Sequence, residues 1–347
     1  QTSSELNFTY APSTRSIELV SATVSNRNGK VLSVTPKEIN VMDCSWAASA
    51  PRYPASKILV VNLPGVEIGS VVRYVVARSV TNAPVAEAFS YTFGGRNPVD
   101  FEKVEMHIPE GLEFRERTSR LLAKFLKVTT NAHERVYSWT MHNPSREPDE
   151  PSQPPTSQWR PCFSASFADW EDYGASLVGA LAAARGEGST WIPWSDDSSR
   201  TAIVRARAKE LVADCSAPAD RIRALRRFLR KIRVTGPGLF ELPFAQAFTA
   251  PDRVLSEGYG SRTDYMNLFR VMLEAAGFDC SFALVAGDAL GFQGTEEKWR
   301  AMPRPGTFGT LVVHAVWRSA GIPFLREETE FWLSTENDYT PPEASSI

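Results

Sequence analysis

The chain has 347 residues, 43% hydrophobic and 22% charged, an ordinary globular composition that excludes wholesale disorder and collagen-like repeats. Lys and Arg number 38 against 40 Asp and Glu, a formal net charge of -2, which argues against a general nucleic-acid binder. No apolar run approaches the roughly 18 residues that would span a bilayer, so no transmembrane segment is expected, and the length predicts about two domains.

Residues 1–143 read as an antiparallel β-sandwich. Ser16–Asn26 and Lys30–Val41 alternate in polarity and flank Asn28-Gly29, the strongest short hairpin signal. Lys57–Leu63, Ser70–Ser79, Ala86–Phe93 and Asp100–Ile108 follow at the short, regular spacing of a sandwich or barrel. Pro64-Gly65 and Gly94-Gly95 punctuate them as turns. Arg117–Phe125 fits either a helix or a strand, and Leu126–Thr130 with Arg135–His142 forms one more hairpin. Residues 144–161 hold Pro144, Pro148, Pro151, Pro154, Pro155 and Pro161, which excludes a helix or central strand and predicts a linker or extended strap.

Residues 162–347 change period and read as an α+β domain, helices first and strands after. Helices are expected at Trp170–Arg185, Ala202–Cys215 and Pro218–Ile232, the last with Ile222, Leu225, Phe228, Leu229 and Ile232 on one stripe. A short turn at Pro251–Gly258 precedes a strong helix, Tyr265–Ala276, which stops at Gly277. Cys280–Ala286, Thr310–Arg318 and Glu330–Ser334 read as strands. The chain starts at Gln1 without a Met, so it is expected to continue a longer protein.

The cysteines are Cys44, Cys162, Cys215 and Cys280. None forms a C-x-x-C pair and no His stands three to five residues from another His or from a Cys, so no metal site or cofactor is expected. They read mostly as free, buried thiols.

The run Leu-Ser-Glu-Gly-Tyr-Gly-Ser-Arg-Thr-Asp-Tyr-Met-Asn-Leu-Phe-Arg-Val-Met-Leu-Glu-Ala-Ala-Gly-Phe, residues 255–278, resembles the nucleophile segment of bacterial transglutaminase-like domains. In that family a glycine-rich turn leads into Asp-Cys-Lys-Asp and a buried helix, then a strand with the catalytic His and a strand with an Asp. Val312-Val313-His314-Ala315-Val316-Trp317 is similar to the His strand, and Phe331-Trp332-Leu333-Ser334 to the last strand. The first half resembles the uncharacterised β-sandwich domain that often precedes this core in bacterial envelope proteins. The resemblance implies a papain-like α+β core and a periplasmic or secreted setting.

A transglutaminase-like site needs a thiolate at a helix N-terminus, a His beside it and a carboxylate that orients the His. Residue by residue, the resemblance puts Arg262 at the Cys position, Ser261 at a frequent Asp and Thr263 at a frequent Lys. Asp264 and His314 match, and Ser334 falls at the orienting Asp, with Asp338 four residues on. Arginine is no nucleophile, and a cation is unfavourable at the positive end of a helix unless it meets an anion. The implied triad is therefore degenerate (Arg262, His314, Ser334), around a ligand cleft of Arg262, His314, Asp264, Tyr259 and Trp317. Such a chain would be a non-catalytic binding or scaffold module at the bacterial envelope, taking a peptide, a glycan or an envelope protein, with no nucleic acid. The alternative is an active cysteine-dependent peptidase or amine transferase with a displaced nucleophile.

Plainer readings stand beside these. Ser261 with Asp264 approximates a capping box, which satisfies free helix amides. His314 sits in an apolar strand and also reads as a satisfied core residue. The basic helix Arg221–Arg233 is either a solvated face or a surface for an anionic partner. Trp159, Trp170, Trp191 and Trp194 pack between domains or line a sugar- or peptide-binding groove. Asn7-Phe8-Thr9 matches a glycosylation acceptor.

Overall fold

The computed structural model describes residues 4–81, 83, 85, 88–146, 159–183, 200–285, 303, 309–319, 328–335 and 342, with side chains undescribed at 178–183, 244 and 245. The chain is α+β, with predominantly antiparallel sheets. It packs as two compact units that are not contiguous in sequence. Gln1–Pro84, Leu181–Ala283 and Leu311–Ser346 form one, and Val85–Ala180 with Leu284–Thr310 form most of the other.

The first unit begins with two three-stranded sheets. β1 (Glu5–Tyr10), β4 (Ile39–Asp43) and β5 (Lys57–Asn62) pair in the order β1-β5-β4. β2 (Arg15–Ser25), β3 (Val31–Ser33) and β6 (Val71–Val80) pair in the order β3-β2-β6. Val24, Leu59, Val61 and Leu63 are buried in one cluster fed by both sheets. The expected hairpin at Asn28-Gly29 is present, with Gly29 at φ +78°. The expected strand Lys30–Val41 is not continuous. Pro36 brings no ladder donor, Thr35 N–H donates to Glu38 at 2.7 Å, and a 3-10 turn at Pro36–Glu38 sends the chain from one sheet to the other.

The second unit carries the sheets β10-β11-β8 and β7-β12-β9. Their strands are β7 (Ala88–Thr92), β8 (Phe101–Pro109), β9 (Arg115–Thr118), β10 (Leu126–Thr130), β11 (Glu134–His142) and β12 (Cys162–Ser166). The ambiguous stretch Arg117–Phe125 divides between β9 and a short helix, α1 (Arg120–Ala123). Trp139 stacks on Phe163 at 4.1 Å in a core that includes Phe93 and Leu122. Most of the Pro-rich strap, residues 147–158, lies outside the described residues, as do Trp191 and Trp194.

The helices are α2 (Trp170–Ala183), α3 (Ala202–Leu211), α4 (Pro218–Leu229), α5 (Phe244–Ala247), α6 (Pro251–Glu257) and α7 (Arg262–Ala275). A short parallel pair, β13 (Arg233–Val234) with β14 (Tyr259–Gly260), leads into α7. The last sheet is β15-β16-β17, from Asp279–Val285, Thr310–Arg318 and Glu328–Leu333. Residues 263–273 of α7 are buried without a break, because α3, α4 and α6 all pack on it. The helix ends as its sequence predicts, with Gly277 at φ +99° in the left-handed region. No helix among the described residues is long and apolar enough to cross a membrane.

Candidate functional site at the N-terminus of α7

Ser261 caps α7. Its Oγ accepts from Asp264 N–H at 3.1 Å, which is half of the capping box expected from sequence. The other half is relayed. Ser261 N–H donates at 2.5 Å to the hydroxyl of Tyr53, and that hydroxyl donates to Asp264 Oδ2. Tyr53 comes from the loop between β4 and β5, 208 residues earlier. The glycine-rich turn lets the parts close up, since a Cβ at Gly260 would stand 2.9 Å from Asp264 Cβ.

Asp264 is fully buried. Its Oδ1 accepts from Thr249 N–H at 2.5 Å, and its Oδ2 faces Arg52 Nη2 at 3.2 Å. Arg52 also pairs with Glu257, donates to Tyr259 O at 3.1 Å and to the Tyr53 hydroxyl at 2.9 Å, and lies over the Tyr259 ring at 4.5 Å. Burial pushes the Asp264 carboxyl above the usual range, against the opposing pull of its donors Tyr53 and Thr249 and of the Arg52 charge. Burial and the neighbouring Asp264 charge push the Tyr53 phenol up to about 12, so it stays protonated and donates. Burial also raises Glu257, but the hydrogen bond from Arg253 and the charge of Arg52 outweigh it and hold the carboxylate below its ordinary range.

The residues singled out from sequence separate into groups. Arg262 is exposed at the first position of α7. Asp264 and Tyr259 are brought together by Arg52. Trp317 stands at the opposite end of α7, which at 14 residues is about 21 Å long. Its ring packs on Phe278 at 5.1 Å, carries Arg221 over its face and lies 3.2 Å from a Cβ built at Gly277. The expected grouping of Trp317 with Arg262 in one cleft therefore does not form. His314 lies on the other face of β16 from Trp317, stacked on Trp332 at 4.3 Å, with its Nε2 3.2 Å from Glu330 Oε2. The carboxylate beside this imidazole is thus Glu330. Ser334, where the orienting residue was expected, is buried, and Asp338 lies outside the described residues.

No thiol stands at this helix start. None of the four cysteines is in a disulfide; Cys162 is buried and the others are half-buried. Burial pushes the Cys280 thiol up to about 12, and burial with nearby Glu241 and Asp43 raises Cys44. The basic helix keeps most of its charges at the surface, with Arg223, Arg227, Arg230, Lys231 and Arg233 exposed, and several of its arginines bind other parts of the chain. Arg221 donates to Ala276 O and Cys215 O, Arg226 is buried, Arg223 pairs with Asp220, and Arg233 donates to Ser49 O.

Sequence reading missed Arg52, Tyr53, Glu257 and Glu330. Arg52 and Tyr53 lie in an irregular loop that periodicity does not register, and nothing local links that loop to α7. Beside the network opens a cleft of about 570 Å³ whose walls include Arg52, Tyr53, Phe248, Thr249 and Arg253.

Residues 1–147 match a family described as a domain of unknown function with solved structure, DUF3857. No curated protein matches. A crystal structure from Parabacteroides distasonis, described as "a putative protease", superposes with a TM-score of 0.67 at 19% identity over 96% of this chain. The two share a fold, and the chain spans 60% of the length of that protein.

Proposed function

We propose that the chain is a transglutaminase-like protein that has lost its chemistry and acts as a binding or scaffold module at the bacterial envelope, in a periplasmic or secreted setting. The observation that carries this reading is the start of α7. An exposed Arg262 occupies the nucleophile position of the resemblance, Ser261 is engaged in capping, and Asp264 is enclosed by Tyr53, Thr249 and Arg52. A helix N-terminus lowers a thiol pKa, but it cannot turn a guanidinium into a nucleophile. The partners that fit a retained cleft are a peptide, a glycan or another envelope protein.

The shared fold with a protein described as a protease gives weight to a second reading, an active cysteine-dependent peptidase or amine transferase with a displaced thiol. The raised thiols of Cys280 and Cys44 count against it. Incubation with glutamine-containing peptides and a primary amine separates the two readings. The module reading expects neither amine incorporation nor peptide cleavage, and expects a glycan or peptide from a panel to raise the melting temperature. Turnover that is abolished by a thiol-blocking reagent would establish the enzyme.

A further inference from the structure

We propose that the cleft beside the α7 network is a carboxylate-binding site, taking an organic acid with an apolar body such as the free C-terminus of a peptide. This goes beyond the module reading and does not depend on it. The cleft holds about 570 Å³, within the roughly 300–1,000 Å³ of small-ligand sites. Among the described residues three arginines line it, Arg52, Arg200 and Arg253, against one acid, Asp252. That acid is already engaged. Its Oδ1 accepts from Val204 N–H at 2.9 Å and its Oδ2 from Ile203 N–H at 3.2 Å, at the start of α3.

Arg253 is the recognition group. Glu257 holds its Nε at 2.7 Å and pairs with Arg52 through the other oxygen, so one carboxylate steadies both guanidiniums. Among the described residues, Nη1 and Nη2 of Arg253 have no hydrogen-bond partner, and its side chain is 58% exposed. A planar fork fixed at Nε and open at both terminal amino groups matches the two oxygens of a carboxylate. Phe248 and Pro54 supply the apolar wall for the body of the ligand.

The test titrates the whole chain with N-acetylphenylalanine, its C-terminal amide and inorganic phosphate, read by calorimetry. The acid is expected to bind at least about tenfold more tightly than the amide, as loss of one charge-assisted contact predicts. Arg253→Gln is expected to remove that preference, and Arg223→Gln, on an exposed pair elsewhere, to keep it. If R253Q unfolds, Arg253→Lys, which keeps the charge but loses the planar fork, serves as the second variant and is expected to lose most of the preference for the acid. Equal binding of acid and amide, no binding of either, or an acid preference unchanged in the cleft variants would overturn the proposal. Phosphate binding more tightly than the acid would overturn the carboxylate assignment. An active thiol found elsewhere would sink the module reading and leave this site standing.

Discussion

At the scale of single residues, the arrangement around α7 turns on one hydroxyl. Tyr53 accepts from Ser261 N–H and Arg52 and donates to Asp264, the bonds to Ser261 and Asp264 fully buried and that from Arg52 partly so. Tyr53→Phe keeps the ring but leaves a buried amide and a buried carboxylate each short of a partner. The expected loss is about 3 kcal/mol in urea unfolding, because an orphaned buried polar group loses its solvation outright. Glu257 gives a pH prediction. Its native carboxyl lies below the ordinary value of 4.5, so the unfolded chain binds more protons there and stability falls as pH drops from about 4.5 through the native value. Glu257→Gln should be less stable than wild type near neutrality, with the difference closing in acid. Asp264, shifted the other way, is present in both chains and cancels from that comparison. A constant difference across the acid range would show that the ion pairs of Glu257 contribute nothing. None of the Tyr53 network was legible beforehand, because its parts come from an irregular loop and a helix start far apart in sequence. Only the Ser261 cap was readable, since capping is local.

At the scale of elements, legibility follows how many faces are buried. α4 was visible because only one stripe is apolar, and Ile222, Leu225 and Leu229 are indeed buried while Arg223 and Arg227 are exposed. Leu225→Ala is expected to cost about 3 kcal/mol and Arg227→Ala no more than about 0.5 kcal/mol; comparable losses in denaturant melts would mean that the stripe is assigned to the wrong face. β12 was not visible, because it is only five residues long beside a Pro-rich stretch, and all five are buried, so the short Phe-Ser-Ala-Ser alternation marks no solvent face. It pairs with β7 and β9 inside the second unit, so the segment read as α+β begins with a strand of a sheet whose other strands precede the Pro-rich strap. The strand expected from Lys30 to Val41 failed for a different reason. Its polarity pattern runs on, but Pro36 breaks the hydrogen-bond ladder and the two halves join different sheets. β16 and β17 were legible as strands, yet the pairing of His314 with Glu330 follows from their register, which one sequence does not state.

At the scale of the whole molecule, an α+β chain shares its fold with a protein described as a protease, while the start of its central helix offers capping, an exposed arginine and an enclosed carboxylate. The proposed loss of chemistry requires that no activated thiol stands anywhere in the folded chain. Iodoacetamide alkylation of the native protein across pH, with mass spectrometry to locate each modified cysteine, tests that most directly. The expected result is slow modification at neutral pH for all four cysteines, with Cys280 unreactive until strongly alkaline pH or unfolding. One cysteine reacting rapidly at or below neutral pH would mark an activated nucleophile and contradict the account.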